Sequence, residues 1–196
     1  MNIILNNQKY DFSESDLPIM VHGKENSGAS FFSIALIANL FLSGHKILFF
    51  TAFPMAKESF SKIIGEKKSE VGFIENNSDF DQVAHKQAII VKSGDMELFK
   101  KMVNKLDDIK ERIIFIKNIE EYDESIFELV KEKIKIVISG DIDKCCFLNK
   151  FEQKEFITKI YFSKSENSLD MVIPDLDKYN GYLISEKNVG VVKIKI

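Results

Sequence analysis

The run HKILFFTAF (45–53) is apolar almost without interruption, and it constrains the fold more than any other stretch of the chain. A strand without polar alternation has no face to give to water. It belongs inside a sheet covered on both sides, which is the habit of parallel sheets. Five more segments read as strands: PIMVHG (18–23), QAIIVKSG (87–94), ERIIFIKN (111–118), KIKIVISGD (133–141) and FITKIYFSK (156–164). Helix patterns lie at 30–43, at 55–66, from a cap at Asp95 to Leu106, and at 124–133. Strand and helix in alternation predict an α/β fold.

The segment Ser30–Ser43 is apolar nearly all round, and Gly44 stands where a left-handed residue ends a helix. Residues 67–86 are polar, carry the weakest pattern and read as an irregular connection. A hairpin is expected at each end. One lies within 1–15; the other occupies 181–196, turning near Glu186–Asn188, and its last strand alternates Val192, Ile194 and Ile196 with Lys193 and Lys195. Without repeats or a linker-like tract, a single domain over 1–196 is the simplest expectation.

Charge excludes some roles. Lys and Arg number 27 against 30 Asp and Glu, a net −3, so no global basic field points to nucleic acid. Arg112 is the sole arginine, which leaves little room for bidentate contacts to phosphate or guanine. The most apolar stretch, Phe31–Leu42, is shorter than the roughly 20 residues that span a bilayer. Cys145 and Cys146 are adjacent, which suits neither a structural disulfide nor zinc, and the opening MNIILNNQKYDF lacks the pattern of a secretory leader. No membrane span and a cytoplasmic location are expected. His22, His45 and His85 are scattered and not at ligand spacing, so no metal site is expected.

Chemistry is concentrated in VHGKENSGAS (21–30). Gly23, four intervening residues, Gly28 and Ser30 match the phosphate-binding loop G-x-x-x-x-G-K-[ST], except that Ala29 replaces the lysine. Such glycines let amides turn inward around an anion, and the following helix adds the positive end of its dipole. Gly23, Lys24, Asn26, Ser27, Gly28, Ala29 and Ser30 are therefore the candidate binding residues. The missing lysine matters: a unit charge pair at about 4 Å and an effective dielectric near 20 interacts by about 4 kcal/mol. Lys24 is either a solvated turn residue or a cation folded back over the loop.

In the order of its blocks, from about residue 16 to residue 196, the chain resembles the RecA/KaiC-like branch of P-loop ATPases. The resemblance implies a three-layer αβα P-loop NTPase-like fold, with a mostly parallel central sheet and antiparallel C-terminal strands. GHKILFFTAFPM looks like that branch's second core strand, and Phe53 or Pro54 falls where its catalytic glutamate is expected. ERIIFIKNIEEY looks like the Walker B strand, with Lys117 and Asn118 where the magnesium-orienting aspartate is expected. KYNG (178–181) is similar to a late K-x-R-G finger motif, with Asn180 in the arginine position. Arg112 opens its strand at the end away from the loop, which leaves no arginine finger from this chain.

Phosphate cation, metal carboxylate and water activator are thus missing together, and the resemblance implies a catalytically inactive homologue with no catalytic residues. It would act as a scaffold or regulatory subunit through contacts with a protein partner or with its own copies, and would need no cofactor. A second reading is a sensor that holds ATP, ADP or phosphate without hydrolysis through Gly23–Ser30, Lys24 and Lys117. Against it, Lys117 would pair with Glu120, Glu121 or Asp141. A third is an ATPase with relocated groups, Lys24 as phosphate cation and Glu120 or Glu121 as metal or water ligand.

Overall fold

The structure is a computed structural model that describes residues 2–51, 54–75, 80–92, 96–123, 135–145, 156–163, 176–177 and 179–195. Its strands are β1 (Asn2–Leu5), β2 (Gln8–Lys9), β3 (Ile19–His22), β4 (Ile47–Thr51), β5 (Val71–Ile74) and β6 (Ala88–Lys92). They continue with β7 (Ile113–Lys117), β8 (Ile136–Gly140), β9 (Thr158–Tyr161), β10 (Gly181–Ser185) and β11 (Val189–Lys195). The helices are α1 (Ala29–Leu42), α2 (Pro54–Ile64), α3 (Phe80–Val83) and α4 (Met96–Lys105).

All the strands join one sheet in the order β2-β1-β11-β10-β9-β3-β8-β7-β4-β6-β5. From β9 to β5 every neighbouring pair is parallel; from β9 to β2 every pair is antiparallel. The expected fold class is thus the observed one. The terminal hairpins are part of this sheet rather than appendages, because β1 pairs with β11 in the register Ile3↔Ile194. The turn of the first hairpin is Asn6–Asn7, both left-handed at φ 49° and 69°, a geometry that asparagine tolerates and tight hairpins favour.

The continuous apolar strands divide their side chains by parity. Ile47 and Phe49 of β4 and Ile113 and Phe115 of β7 join the core under α1 and α2, with Phe32, Leu36, Phe41 and Phe60. Leu48, Phe50, Ile114 and Ile116 face the opposite core with Phe80, Met102 and Val103 of α3 and α4. Period two thus gives two apolar faces and three layers. Helix α1 ends as its glycine predicts: Gly44 has φ 98°, its amide donates to the Phe41 carbonyl, and the His45 amide donates to the Leu40 carbonyl.

One connection is corrected. Residues 67–86 are not irregular throughout, since they contain β5 and α3. β5 is a four-residue edge strand whose Gly72 lies against the Val83 side chain, and a Cβ there would collide with it. A glycine inside so short a run erased the periodicity. The expected helix at 124–133, the cap at Asp95 and Phe53, Cys146 and Lys178 lie outside the described residues. Among the described residues no helix is long and apolar enough to cross a membrane.

Candidate functional site

Strand β3 lies among the parallel strands, between β8 and β9, and the candidate loop leaves its C-terminal end. Both neighbours pin the loop's entry. The Gly23 amide donates to the Gly140 carbonyl at the end of β8 (3.1 Å), and the Lys24 amide to Ser163 Oγ just past β9 (3.1 Å). Glycine is required at 23, because a Cβ would strike Ala29 Cβ and Ser27 Oγ. Asn26 (φ 61°) and Gly28 (φ 99°) are both left-handed, which turns the loop around a concavity of amides. Gly28 is the N-cap of α1. Ser27 Oγ accepts from the Ala29 amide at 3.4 Å, whereas the amides of Ser30 and Phe31 find no acceptor among the described residues.

Ala29 is buried and presents only a methyl group. Lys24 is half-exposed, and its Nζ is 3.7 Å from Asp143 Oδ2, in the turn after β8. Asp143 is only 11% exposed, so only the lysine side of this pair meets solvent. Lys117 ends β7 and is buried, with Nζ donating to Asn118 Oδ1 at 2.9 Å. Burial pushes its pKa below the usual lysine value, opposed by the nearby charge of Glu120. The expectation that Lys117 lies beside the loop is corrected. β8 stands between β7 and β3, with Lys117 level with Ser139 and Ser139 level with Val21, about two strand spacings or 10 Å across.

Glu120 is used structurally: its Oε2 accepts the Asp141 amide at 3.1 Å and its Oε1 the Asn118 side-chain amide at 3.4 Å. Arg112 is buried at the opposite end of β7. Its Nε donates to Asp108 Oδ1 at 2.7 Å, and its other nitrogens to the carbonyls of Ile47, Ala84, Lys86 and Gln87. It is a clamp on strand ends, not a finger.

Two features escaped the sequence reading. His22, the last residue before Gly23, is fully buried, and its ring comes together with Asp141 and Asp143, the ligand atoms lying within 4.8 Å of one another. Its Nδ1 accepts the Ile142 amide at 3.1 Å, so the neutral ring carries its proton on Nε2, which lies 3.2 Å from Ser163 Oγ. That nitrogen then has no lone pair for a metal, and the ring acts as a hydrogen-bond hub beneath the loop. Some 120 residues separate His22 from the two aspartates, and no local pattern shows such a meeting. The second feature is Tyr179, left-handed at φ 68°, which packs on Gly28: a Cβ at Gly28 would lie 3.1 Å from its ring. The KYNG segment does reach the loop, but through its tyrosine. Gly28, Phe31, Phe32, Phe162, Tyr179 and Ile194 enclose a cavity of about 370 Å³ there.

Similar architectures are known. B204, the DNA-packaging ATPase of Sulfolobus turreted icosahedral virus, superposes with a TM-score of 0.61 at 13% identity, over 91% of this chain and 97% of that one. The genome packaging NTPase B204 of Sulfolobus turreted icosahedral virus 2, in complex with AMPPCP, gives 0.61 at 15% identity over 94% and 100%. The fold is that of P-loop NTPases. The pCW3 conjugation coupling protein TcpA, in its monomer form with ATPgS, gives 0.58 at 12% identity, over 96% of this chain and 64% of that one. No family model and no curated protein matches the sequence.

Among the described residues, the carboxylates at the loop's entry are Asp141 and Asp143, gathered on His22, while the end of β7 carries a buried lysine whose ammonium repels a cation.

Proposed function

We propose that this chain is a catalytically inactive relative of RecA/KaiC-like ATPases that works as a scaffold or regulatory subunit through protein–protein contacts. The observation that carries the reading is buried Lys117 at the end of β7, in place of the metal-orienting acid. Ala29 removes the phosphate cation from the loop itself, two strands away. Phosphoryl transfer depends on positioning and on neutralising charge, and both main sources of positive charge are missing. The sole arginine is held inside the sheet, so a second copy seated alongside could not insert one either. The similar structures include a DNA-packaging ATPase. This chain's net charge of −3 offers no comparable argument for nucleic acid, and a protein partner or a second copy remains the reading.

A specific observation favours a second reading, a non-hydrolysing sensor of nucleotide or another anion. The loop keeps its left-handed turns at Asn26 and Gly28 and leaves the Ser30 and Phe31 amides open at the start of α1, so an anion could be held without metal. Lys24 is near enough to contribute if it leaves Asp143. The relocated-lysine ATPase has less support, since Glu120 is engaged by the Asp141 amide.

Nucleotide titration with and without magnesium, combined with sedimentation velocity, tests both readings. The scaffold reading expects self-association or a co-purifying protein and no magnesium-dependent binding. A nucleotide affinity that rises at least about tenfold with magnesium contradicts it.

A further inference from the structure

We propose that the sheet face turned away from α1, across β1, β11, β10 and β9, docks an acidic segment of a protein partner that carries apolar side chains at its centre. This deepens the scaffold reading and rests on it. In the antiparallel part of the sheet, Ile3, Ile160, Leu183 and Val192 all join the core under α1. Their neighbours along each strand turn the other way. Val189 and Val191 of β11 stand opposite Ile184 and Tyr182 of β10, and Ile4 of β1 stands opposite Lys193. Tyr182 and Ile184 pack on the opposite core only in part, and beyond them Val189 is 53% and Val191 39% exposed.

Charge on this face has one sign. The strands β1, β2, β9, β10 and β11 contain four lysines, no arginine and no Asp or Glu. Register puts all four on the same face: Lys9 and Lys193 flank Ile4, Lys195 follows two residues after Lys193, and Lys159 stands opposite Ile184. Lys9 pairs with Asp11 at 2.9 Å, whereas Lys159, Lys193 and Lys195 make no ion pair among the described residues. Lys159 is half-buried, and burial alone pushes its pKa down. A carboxylate brought beside it would offset that cost. The whole chain carries a net −3, so acids prevail outside these strands. An acidic partner is therefore attracted here and repelled elsewhere, which fixes where it docks.

Size and chemistry select the occupant. Val189 to Lys195 spans about 20 Å and the five strands about 19 Å across, a patch of about 400 Å². A stable complex buries about 800 Å² on each partner, so this patch suits one segment held reversibly rather than a whole domain. Nucleic acid fits it less well. The most exposed apolar residues are valines, which offer no ring for a base to stack on, and Tyr182 is half-buried. Apolar side chains of a protein segment cover the valines, and its carboxylates meet Lys159 on one side and Lys193 and Lys195 on the other.

The test is fluorescence anisotropy of the labelled peptide DELLDEFLEE titrated with the full chain. Binding should lie in the micromolar range and weaken at least about tenfold as salt rises from about 50 to about 500 mM. The purely acidic peptide DEDEDEDEDE should bind at least about fivefold more weakly, since it cannot cover the valines. Lys193→Glu combined with Lys195→Glu should weaken DELLDEFLEE at least about tenfold, and Val191→Ser about threefold. Lys68→Glu combined with Lys110→Glu, the same change of net charge at exposed positions off this face, should leave binding unchanged. No binding of DELLDEFLEE, or binding indifferent to the changes at Lys193 and Lys195, would overturn the docking face. The scaffold reading would survive that result, because it falls to magnesium-dependent nucleotide binding instead. A ten-nucleotide oligothymidylate bound more tightly than the peptide, and lost in the same double variant, would overturn the proposal in favour of nucleic acid. Self-association abolished by that variant would overturn it in favour of a second copy.

Discussion

Strand β7 starts beside Arg112 and ends at Lys117; both side chains are buried, yet the two ends of the strand treat their cations differently. Arg112 meets the Asp108 carboxylate and four carbonyls, partners that match a planar, many-donor guanidinium. Burial raises the Asp108 pKa, but Arg112 and Lys46 outweigh it and hold the carboxyl below its usual value. At the other end Lys117 donates to an amide oxygen, and its burial works against its charge. One end is built for stability. The other, at the level of the phosphate loop, buries an ammonium against the cost of desolvation, and we propose that it stands in place of a metal-orienting acid.

The largest expected effect is at the arginine end. Arg112→Met should cost about 3–5 kcal/mol of unfolding free energy, because it strips Asp108 Oδ1 and four carbonyls of their donor, leaving Asp108 only Lys46 on Oδ2. Arg112→Lys should recover only part of that, since one ammonium cannot span the same carbonyls. A loss under about 1 kcal/mol in denaturant titration would erase the contrast between the two ends.

Next comes the loop itself: Gly23→Ala should cost about 1–3 kcal/mol, as its methyl collides with Ala29 and Ser27. A smaller effect is visible in acid. Asp108 contributes stability above its ordinary carboxylate pKa, and that stability is lost as pH falls through its depressed folded value. Asp108→Asn should therefore flatten the acid limb of thermal stability against pH; an unchanged slope would remove Asp108 from the account.

The smallest change sharpens the comparison most. The Lys117 pKa is lowered on folding, so the unfolded chain binds more protons there and stability rises with pH across the window up to the unfolded value of about 10.4. Lys117→Met should be at least as stable as the parent at neutral pH, with the difference shrinking above that value. Tyr10 and Tyr161, each pushed up to about 12, mainly by burial, lose their contribution as pH rises from about 10 to 12. The comparison must therefore be variant against parent. A variant clearly less stable at neutral pH would make Lys117 a structural cation like Arg112.

Much of the fold was legible because burial on both faces leaves a plain mark. ILFFT and IIFIK can hardly be anything but central strands, and Gly44 ended α1 as its position predicted. β5 was hidden by Gly72 and by its edge position, where one neighbour suffices and the run is short. The loop was legible as local geometry, since Gly23 makes the close approach and Gly28 the left-handed turn that each call for glycine. Its surroundings were not. Asp143 facing Lys24, His22 bridging to Ile142 and Tyr179 lying on Gly28 are contacts across more than a hundred residues, made by strand order rather than by spacing. The distance of Lys117 from the loop was misjudged for the same reason, because only the sheet shows that β8 intervenes.

Steady-state phosphate release from ATP by the purified chain, with magnesium in excess, tests the central claim most directly. The account predicts no release above the protein-free background, and none gained by raising magnesium. Turnover in the ordinary enzymatic range of about 1 per second or faster, abolished by Lys24→Ala, would contradict it.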